Sequence, residues 1–326
     1  MRIKTYTSLA AVFVLSIGLT TITGQQVTKL QSVGTIAREV PYSFPQKLTL
    51  DRFGNLYILD STLSNVFMIK LSGGRTQMSP LCSPRTPVRA ADLSVEGNGG
   101  IWILSANGSR VVKLDKKCEV QKSFDSKRPA LAIQVNTAGE VVVLTSSGEA
   151  LFDLYAQNGT LLRSFGRRIS YGDPISDGEL SNGSLVADKT GGFYFSFNYP
   201  PLVHHYGRNG QLLGEFKPPS DVHIAPANVS SQKKGNLMAV RADYQILVLD
   251  MTVDNRGRLI FLISGKPKYQ AITQGSQMLL VTGGRGMVLR KAMIEDAAFH
   301  RLAAGPDGLY LLRNRDGLRL DKYQLP

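Results

Sequence analysis

One phrase recurs along this chain, and it limits the fold more than any other feature. It reads "LTLDRFGNLYILD" around Gly54, "LSVEGNGGIWILS" around Gly99 and "IQVNTAGEVVVLT" around Gly139. It continues as "LVADKTGGFYFSF" around Gly191 and "VSSQKKGNLMAVR" around Gly235. The glycines are about 45, 40, 52 and 44 positions apart, which is the period of a repeat architecture. A looser copy, "LAAGPDGLYLLRN", occupies 302–314. Each copy has an alternating run, an acidic or amide residue, two spacers, a glycine and a short apolar run.

A second phrase follows each copy, as in "LFDLYAQNGTLLRSF" and "LVHHYGRNGQLLGEF". It reads as strand, turn, strand, and Asn158–Gly159 and Asn209–Gly210 supply the positive φ of tight hairpins. Every unit therefore holds four strands, A to D. Four antiparallel strands in about 45 residues describe a β-propeller blade. The B strands "IWIL", "VVVL" and "FYFSF" are apolar on both faces, as a sheet sandwiched between two others must be. The predicted fold is all-β, a propeller of six four-stranded blades.

The wording of the first blade resembles the NHL-repeat six-bladed propellers. Asp51, Gly54, Asn55, Leu56, Tyr57 and Asp60 match that family's Asp-x-x-Gly-Asn-(Leu/Ile)-Tyr-Val-(Ala)-Asp core. Later blades match in pattern more than in letters, and Gln232 stands where the fifth copy should carry its acid. The resemblance covers roughly residues 33–326. It implies a fold and leaves the activity open, because the family includes binding platforms, lyases and hydrolases.

Gly235 to Gly308 spans about 73 positions, too long for one repeat. Residues 265–298, with the hairpin sequence "QMLLVTGGRGMVLRK", are read as an insertion before blade six, and a degenerate seventh blade is the alternative. The last C strand, "LRLDKYQL", has no D strand after it. The N-terminal segment "VTKLQSVGTIAREV" is expected to supply that strand and close the last blade.

Arg2 and Lys4 precede an uncharged apolar run that ends near "TGQQ", the pattern of a secretory signal. Residues 1–24 are read as a signal peptide and 25–326 as one propeller domain, exported to a periplasmic or extracellular space. An uncleaved anchor is the alternative; no second run could span a bilayer, so the mature chain is expected to have no membrane span. Loss of residues 1–24 leaves 36 basic side chains against 25 acidic. That balance favours an anionic glycan, peptide or protein partner. The basic residues are scattered, so no dedicated nucleic-acid binding is expected. The chain is expected to be a monomer. Cys82 and Cys118 are an even pair in an exported chain, which suggests a disulfide. An up-and-down blade puts a D-to-A linker and a C-to-D turn on opposite faces, which speaks against it. Both readings stay open.

Propeller sites lie on the axis, where A strands begin. The residues just before the A strands align as Lys47, Asp92, Ala132, Ser184, Asn228 and Arg301. Linkers and B-to-C loops on the same face add Arg89, Arg128, Arg241 and Arg313. The expected binding set is Lys47, Arg89, Asp92, Arg128, Asn228, Arg241, Arg301 and Arg313, a net basic mouth for carboxylate, sulfate or phosphate. Mutual pairing, such as Lys47 with Asp92, is the competing reading. No metal and no cofactor are expected: Lys47 and Arg301 would oppose a hard cation, and adjacent His204 and His205 point to opposite faces of a strand. No nucleophile elbow or P-loop is present. Tyr199, before two prolines, is expected to be exposed. Two functions result. One is an exported, non-enzymatic binding or scaffold propeller. The other is a lyase or hydrolase on a small anionic substrate, with His223, His300 and Tyr199 as weak acid–base candidates and no complete catalytic set.

Overall fold

The structure is a computed structural model that describes residues 28–29, 32–37, 45–60, 65–70, 77–82, 89–170, 177–178, 180–200, 202–217, 228–234, 237–243, 247–264, 277–294, 299–314 and 318–324. Two short strands come first, β1 (Thr28–Lys29) and β2 (Ser32–Ala37). Blade one is β3 (Pro45–Leu50), β4 (Leu56–Asp60), β5 (Asn65–Lys70) and β6 (Gln77–Cys82). Blade two is β7 (Ala90–Val95), β8 (Ile101–Ser105), β9 (Arg110–Leu114) and β10 (Val120–Asp125). Blade three is β11 (Ala130–Val135), β12 (Val141–Thr145), β13 (Ala150–Tyr155) and β14 (Leu161–Arg167). Blade four is β15 (Gly183–Ala187), β16 (Phe193–Phe197), β17 (Val203–Tyr206) and β18 (Leu212–Phe216).

A separate two-stranded sheet follows, β19 (Asn228–Lys234) paired with β20 (Leu237–Asp243). Blade five is β21 (Leu247–Val253), β22 (Leu259–Ser264), β23 (Gln277–Thr282) and β24 (Val288–Ile294), with β1 parallel to β24. Blade six contains β25 (Phe299–Gly305), β26 (Gly308–Asn314) and β27 (Leu318–Tyr323), and β2 pairs antiparallel with β27. The molecule is thus a six-bladed propeller of antiparallel blades, not a seven-bladed one.

Two assignments change. The "VSSQKKGNLMAVR" copy is not a blade core; it supplies β19 and β20. The fifth blade is built instead on "MTVDNRGRLIFLI", with Asp254 and Gly257 in the acid and glycine places. The hairpin sequence within 265–298, expected as an insertion, is blade sheet, because β23 pairs with β22 and β24 with β23. The residues in excess are therefore those of β19 and β20.

The ring closes through its innermost strands. β3 packs on β7, β7 on β11, β11 on β15, β15 on β21, β21 on β25, and β25 back on β3. One apolar cluster lies at each of these six seams, for example Leu48, Ile58, Tyr310 and Leu312 between blades six and one. Each fully buried Leu, Ile or Phe there contributes about 1.5–3 kcal/mol.

The repeated acid secures the turn from A to B. Asp51 Oδ1 accepts the Phe53 and Asn55 amides, each at 2.9 Å, and its Oδ2 accepts Asn55 Nδ2 at 2.8 Å and Tyr57 Oη at 3.0 Å. Asn136, Asp188 and Asp254 hold the same two turn amides in blades three, four and five. The glycine that follows lies at positive φ, 82° at Gly54 and 75° at Gly257, a region that favours residues without Cβ.

Cys82 and Cys118 are bonded, with Cα atoms 5.5 Å apart. A D-to-A linker and a C-to-D turn of neighbouring blades meet here because blades are not flat. Neighbouring strands rotate by about 20–25° each, so a fourth strand is turned by roughly 60–75° from the first. The outer end of blade one therefore leans over the outer turn of blade two. Cys118 also takes φ 65°, where the matching turns use Gly159, Gly210 and Gly286.

Candidate functional site

The mouth is formed where the A strands begin. In five blades the ladder between A and B is offset by one residue there, between Pro45 and Lys47, Ala90 and Asp92, Ala130 and Ala132, Val248 and Asp250, and Phe299 and Arg301. Such bulges re-aim side chains. The residue after each bulge, with Ser184 in the regular fourth blade, lines a cavity of about 250 Å³. In ring order these residues are Lys47, Asp92, Ala132, Ser184, Asp250 and Arg301. A deeper cavity of about 170 Å³ continues inward past Thr49, Gln134 and Thr252 and shares Lys47 and Asp250 with the mouth.

Five of the six ring positions are those expected from the sequence. Asn228 is not among them. It begins β19 and pairs with Asp243, and Asp250 takes the fifth place. The signal for Asp250 was present, since it stands three residues before Val253 and four before the acid of the Asp254–Gly257 turn, as Lys47 stands before Asp51. The ring therefore carries two cations and two carboxylates, so it is charge-balanced and not net basic.

Arg89, Arg128, Arg241 and Arg313 are not among the residues lining this cavity. Arg128 is clamped on Asp153, which is 0 % exposed, and on the carbonyl oxygens of Ser147 and Ala150. Arg313 pairs with Asp321 at 3.4 Å and lies over the Phe299 ring. Arg241 lies within β20, opposite Ser230, and not in a blade loop. Arg89 precedes β7 and is exposed. Tyr199 is buried, not exposed, and His300 is half-buried. His223 lies outside the described residues.

The contacts within the ring differ in kind. Lys47 Nζ stands 3.7 Å from Asp92 Oδ1, and Asp92 Oδ2 accepts the Ile133 amide of the next blade at 2.8 Å. Burial raises the Asp92 pKa above the ordinary carboxylate range, against the opposing pull of Lys47, the Ile133 and Leu93 amides and Arg301. Asp250 is bound by neutral groups. Its Oδ1 accepts Ser184 Oγ at 3.2 Å and the Met251 amide at 3.0 Å, and its Oδ2 accepts the Leu302 amide at 2.9 Å. Arg301 is likewise bound by neutral groups, donating from Nε to the Gln46 carbonyl and from Nη1 to the His300 carbonyl at 2.7 Å.

Other polar constellations serve packing. His204 and His205 do point to opposite faces. His204 bonds Tyr206 Oη at 2.8 Å and Glu215 at 3.1 Å, and burial lowers its pKa. His205 bonds Asp188 at 2.7 Å and stacks on Tyr194 at 4.0 Å. A larger groove of about 470 Å³ runs beside the A-to-B turns of blades one to three. Its buried acid, Glu96, is taken up by Trp102 Nε1 at 2.8 Å and Lys113 at 2.7 Å, and Asn136 by its own turn. Among the described residues no group of three or more His, Cys, Asp or Glu side chains is placed to hold a metal ion. No helix among them is long and apolar enough to cross a membrane.

Fold and mouth together define a six-bladed β-propeller with a polar axial cavity. No family model matches the chain, and no curated protein matches it. Solved structures do match. A member of the DUF4221 family from Bacteroides vulgatus superposes with a TM-score of 0.56 at 10% identity, over 93% of this chain and 96% of that one. The calcium-binding protein regucalcin from Agrobacterium tumefaciens gives 0.56 at 14% identity, over 92% and 98%. Virginiamycin B lyase from Staphylococcus aureus gives 0.54 at 13% identity, over 91% and 99%. At such identities the likeness shows the fold alone. The NHL repeat remains a resemblance in wording.

Proposed function

We propose that this chain is an exported, non-enzymatic binding or scaffold propeller whose mouth takes an anionic group presented by a glycan, peptide or protein. In this reading residues 1–24 are removed, and Ser32–Ala37 serves as the outer strand that closes the last blade. The Cys82–Cys118 bond supports an oxidising destination.

The observation that carries the reading is the state of Arg301. Its guanidinium stands at the mouth, fixed by two carbonyl oxygens, which orient it without cancelling its charge. Lys47 is its ring neighbour and stands 3.7 Å from Asp92. A carboxylate, sulfate or phosphate entering there meets two cations on one side. The acid–base contacts of His205 with Asp188 and of His204 with Glu215 line no part of the mouth.

The test is retention of residues 25–326 on an immobilised acidic polysaccharide. The wild-type chain is expected to elute at higher salt than the Lys47→Ala/Arg301→Ala variant, because each contact is electrostatic and screened. Identical elution of the two proteins would overturn the reading.

A further inference from the structure

The mouth holds a second charge that the anion reading leaves unexplained. Asp250 is 8 % exposed, and among the described residues it has no ion-pair partner. Among the described residues its ring neighbour Arg301 has no ion-pair partner within 4.0 Å either, and its pull reaches Asp92 only from farther off. Yet these two opposite charges occupy adjacent places in the ring. The other pair in the ring, Lys47 and Asp92, approaches directly. One pair is therefore closed, while in the other pair each member is bound by neutral groups.

The unfilled capacity is countable. A carboxylate offers about four acceptor sites, and Asp250 uses three, on Ser184, Met251 and Leu302. A guanidinium offers about five donors, and Arg301 uses two. A buried carboxylate without a counter-ion is costly, and a cation that completes its bonds removes that cost. The two groups thus ask for opposite charges from one occupant. The cavity, about 250 Å³, is smaller than the roughly 300–1,000 Å³ of drug-sized sites.

Resting on the anion reading of this mouth, we propose that its ligand is a small zwitterion of the α-amino-acid class, with its carboxylate on Arg301 and its ammonium on Asp250. Ser184 orients the Asp250 carboxylate and acts as a positioning residue. Lys47, on the other side of Arg301, already stands 3.7 Å from Asp92, and this pair keeps the rest of the ring neutral, so that a singly charged anion gains less there than a dipolar one.

The experiment is calorimetric titration of residues 25–326 with free L-α-amino acids, their N-acetyl derivatives and their carboxamides. At least one free amino acid is expected to bind, with affinity falling about ten- to hundredfold on N-acetylation and similarly in the carboxamide. Asp250→Asn keeps an acceptor for Leu302 and should abolish the preference for the free amine; Arg301→Ala should abolish binding of both forms. If N-acetyl derivatives bind as tightly as free amino acids, the zwitterion assignment fails and the anion reading stands. Retention on acidic polysaccharide with no amino acid bound has the same meaning. If Arg301→Ala alters neither retention nor titration, both fail. The wild-type comparison of free and acetylated ligands needs no variant to fold.

Discussion

The two ends of the A strands use acids in opposite ways. At the turn end, Asp51, Asp188 and Asp254 accept amides from their own turns. At the mouth, Asp92 and Asp250 reach across to an amide of the next blade, Ile133 and Leu302. The turn acids recur because the A-to-B turn recurs, and Oδ1 of Asp51, Asp188 and Asp254 is taken up by its amides. The mouth residues differ from blade to blade, Lys, Asp, Ala, Ser, Asp and Arg, because the ring needs no common letter there. What repeats in this chain reports how it folds; what fails to repeat is free to report what it meets.

The sharpest way to break this comparison is Asp51→Ala. It strands two turn amides, Asn55 Nδ2 and Tyr57 Oη, and should cost about 3 kcal/mol or more in denaturant unfolding. Amino-acid and polysaccharide binding at the mouth should survive below the unfolding transition. A stable Asp51→Ala protein would show that the repeated acid is not a folding device.

A smaller effect is expected in the outer turn of blade two. Cys118 sits at φ 65°, where blades three, four and five use glycine. With the disulfide reduced, Cys118→Gly should be more stable than the parent by about 1 kcal/mol, since a left-handed conformation costs a residue with Cβ that much. Equal midpoints in reductant would refute this.

The smallest predicted effect is a difference in sign with pH. Burial raises the Asp92 pKa, so its contribution to stability is full below the ordinary carboxylate range and is lost as pH rises through the raised value. At Asp188 burial is outweighed by bonds from His205, Thr190 and Gly192, and the pKa is lowered. Its contribution is present above the ordinary range and is lost as pH falls through the depressed value. Asp92→Asn should therefore flatten the profile on the alkaline side and Asp188→Asn on the acid side. Denaturation from about pH 2 to about pH 7 checks this, and superposable profiles would remove the distinction.

Blades one to four were legible because the acid–glycine turn and the Asn-Gly hairpins act locally, within a few residues. Blade five was not, because β19 and β20 lie where the period calls for it, with Gly235 placed 44 positions after Gly191. The true step, Gly191 to Gly257, is 66 positions. The mouth was legible wherever the A strand had been found, since a fixed offset from the turn names the ring residue. Asp250 escaped with its blade. Which cations would be free was not legible at all: the clamp of Arg128 by Asp153 joins a linker to a strand 25 residues on. Likewise the disulfide depends on twist, which no pattern of letters records.

No blade owns its hydrophobic interior. Each of the six apolar clusters draws residues from two neighbouring blades. Deleting one wedge of such a wheel bares two greasy walls at once, and adding one requires every seam to change its angle. Blade number is thus a property of the whole circle, and a polypeptide cut short of its final sector is expected to clump in place of forming a smaller wheel.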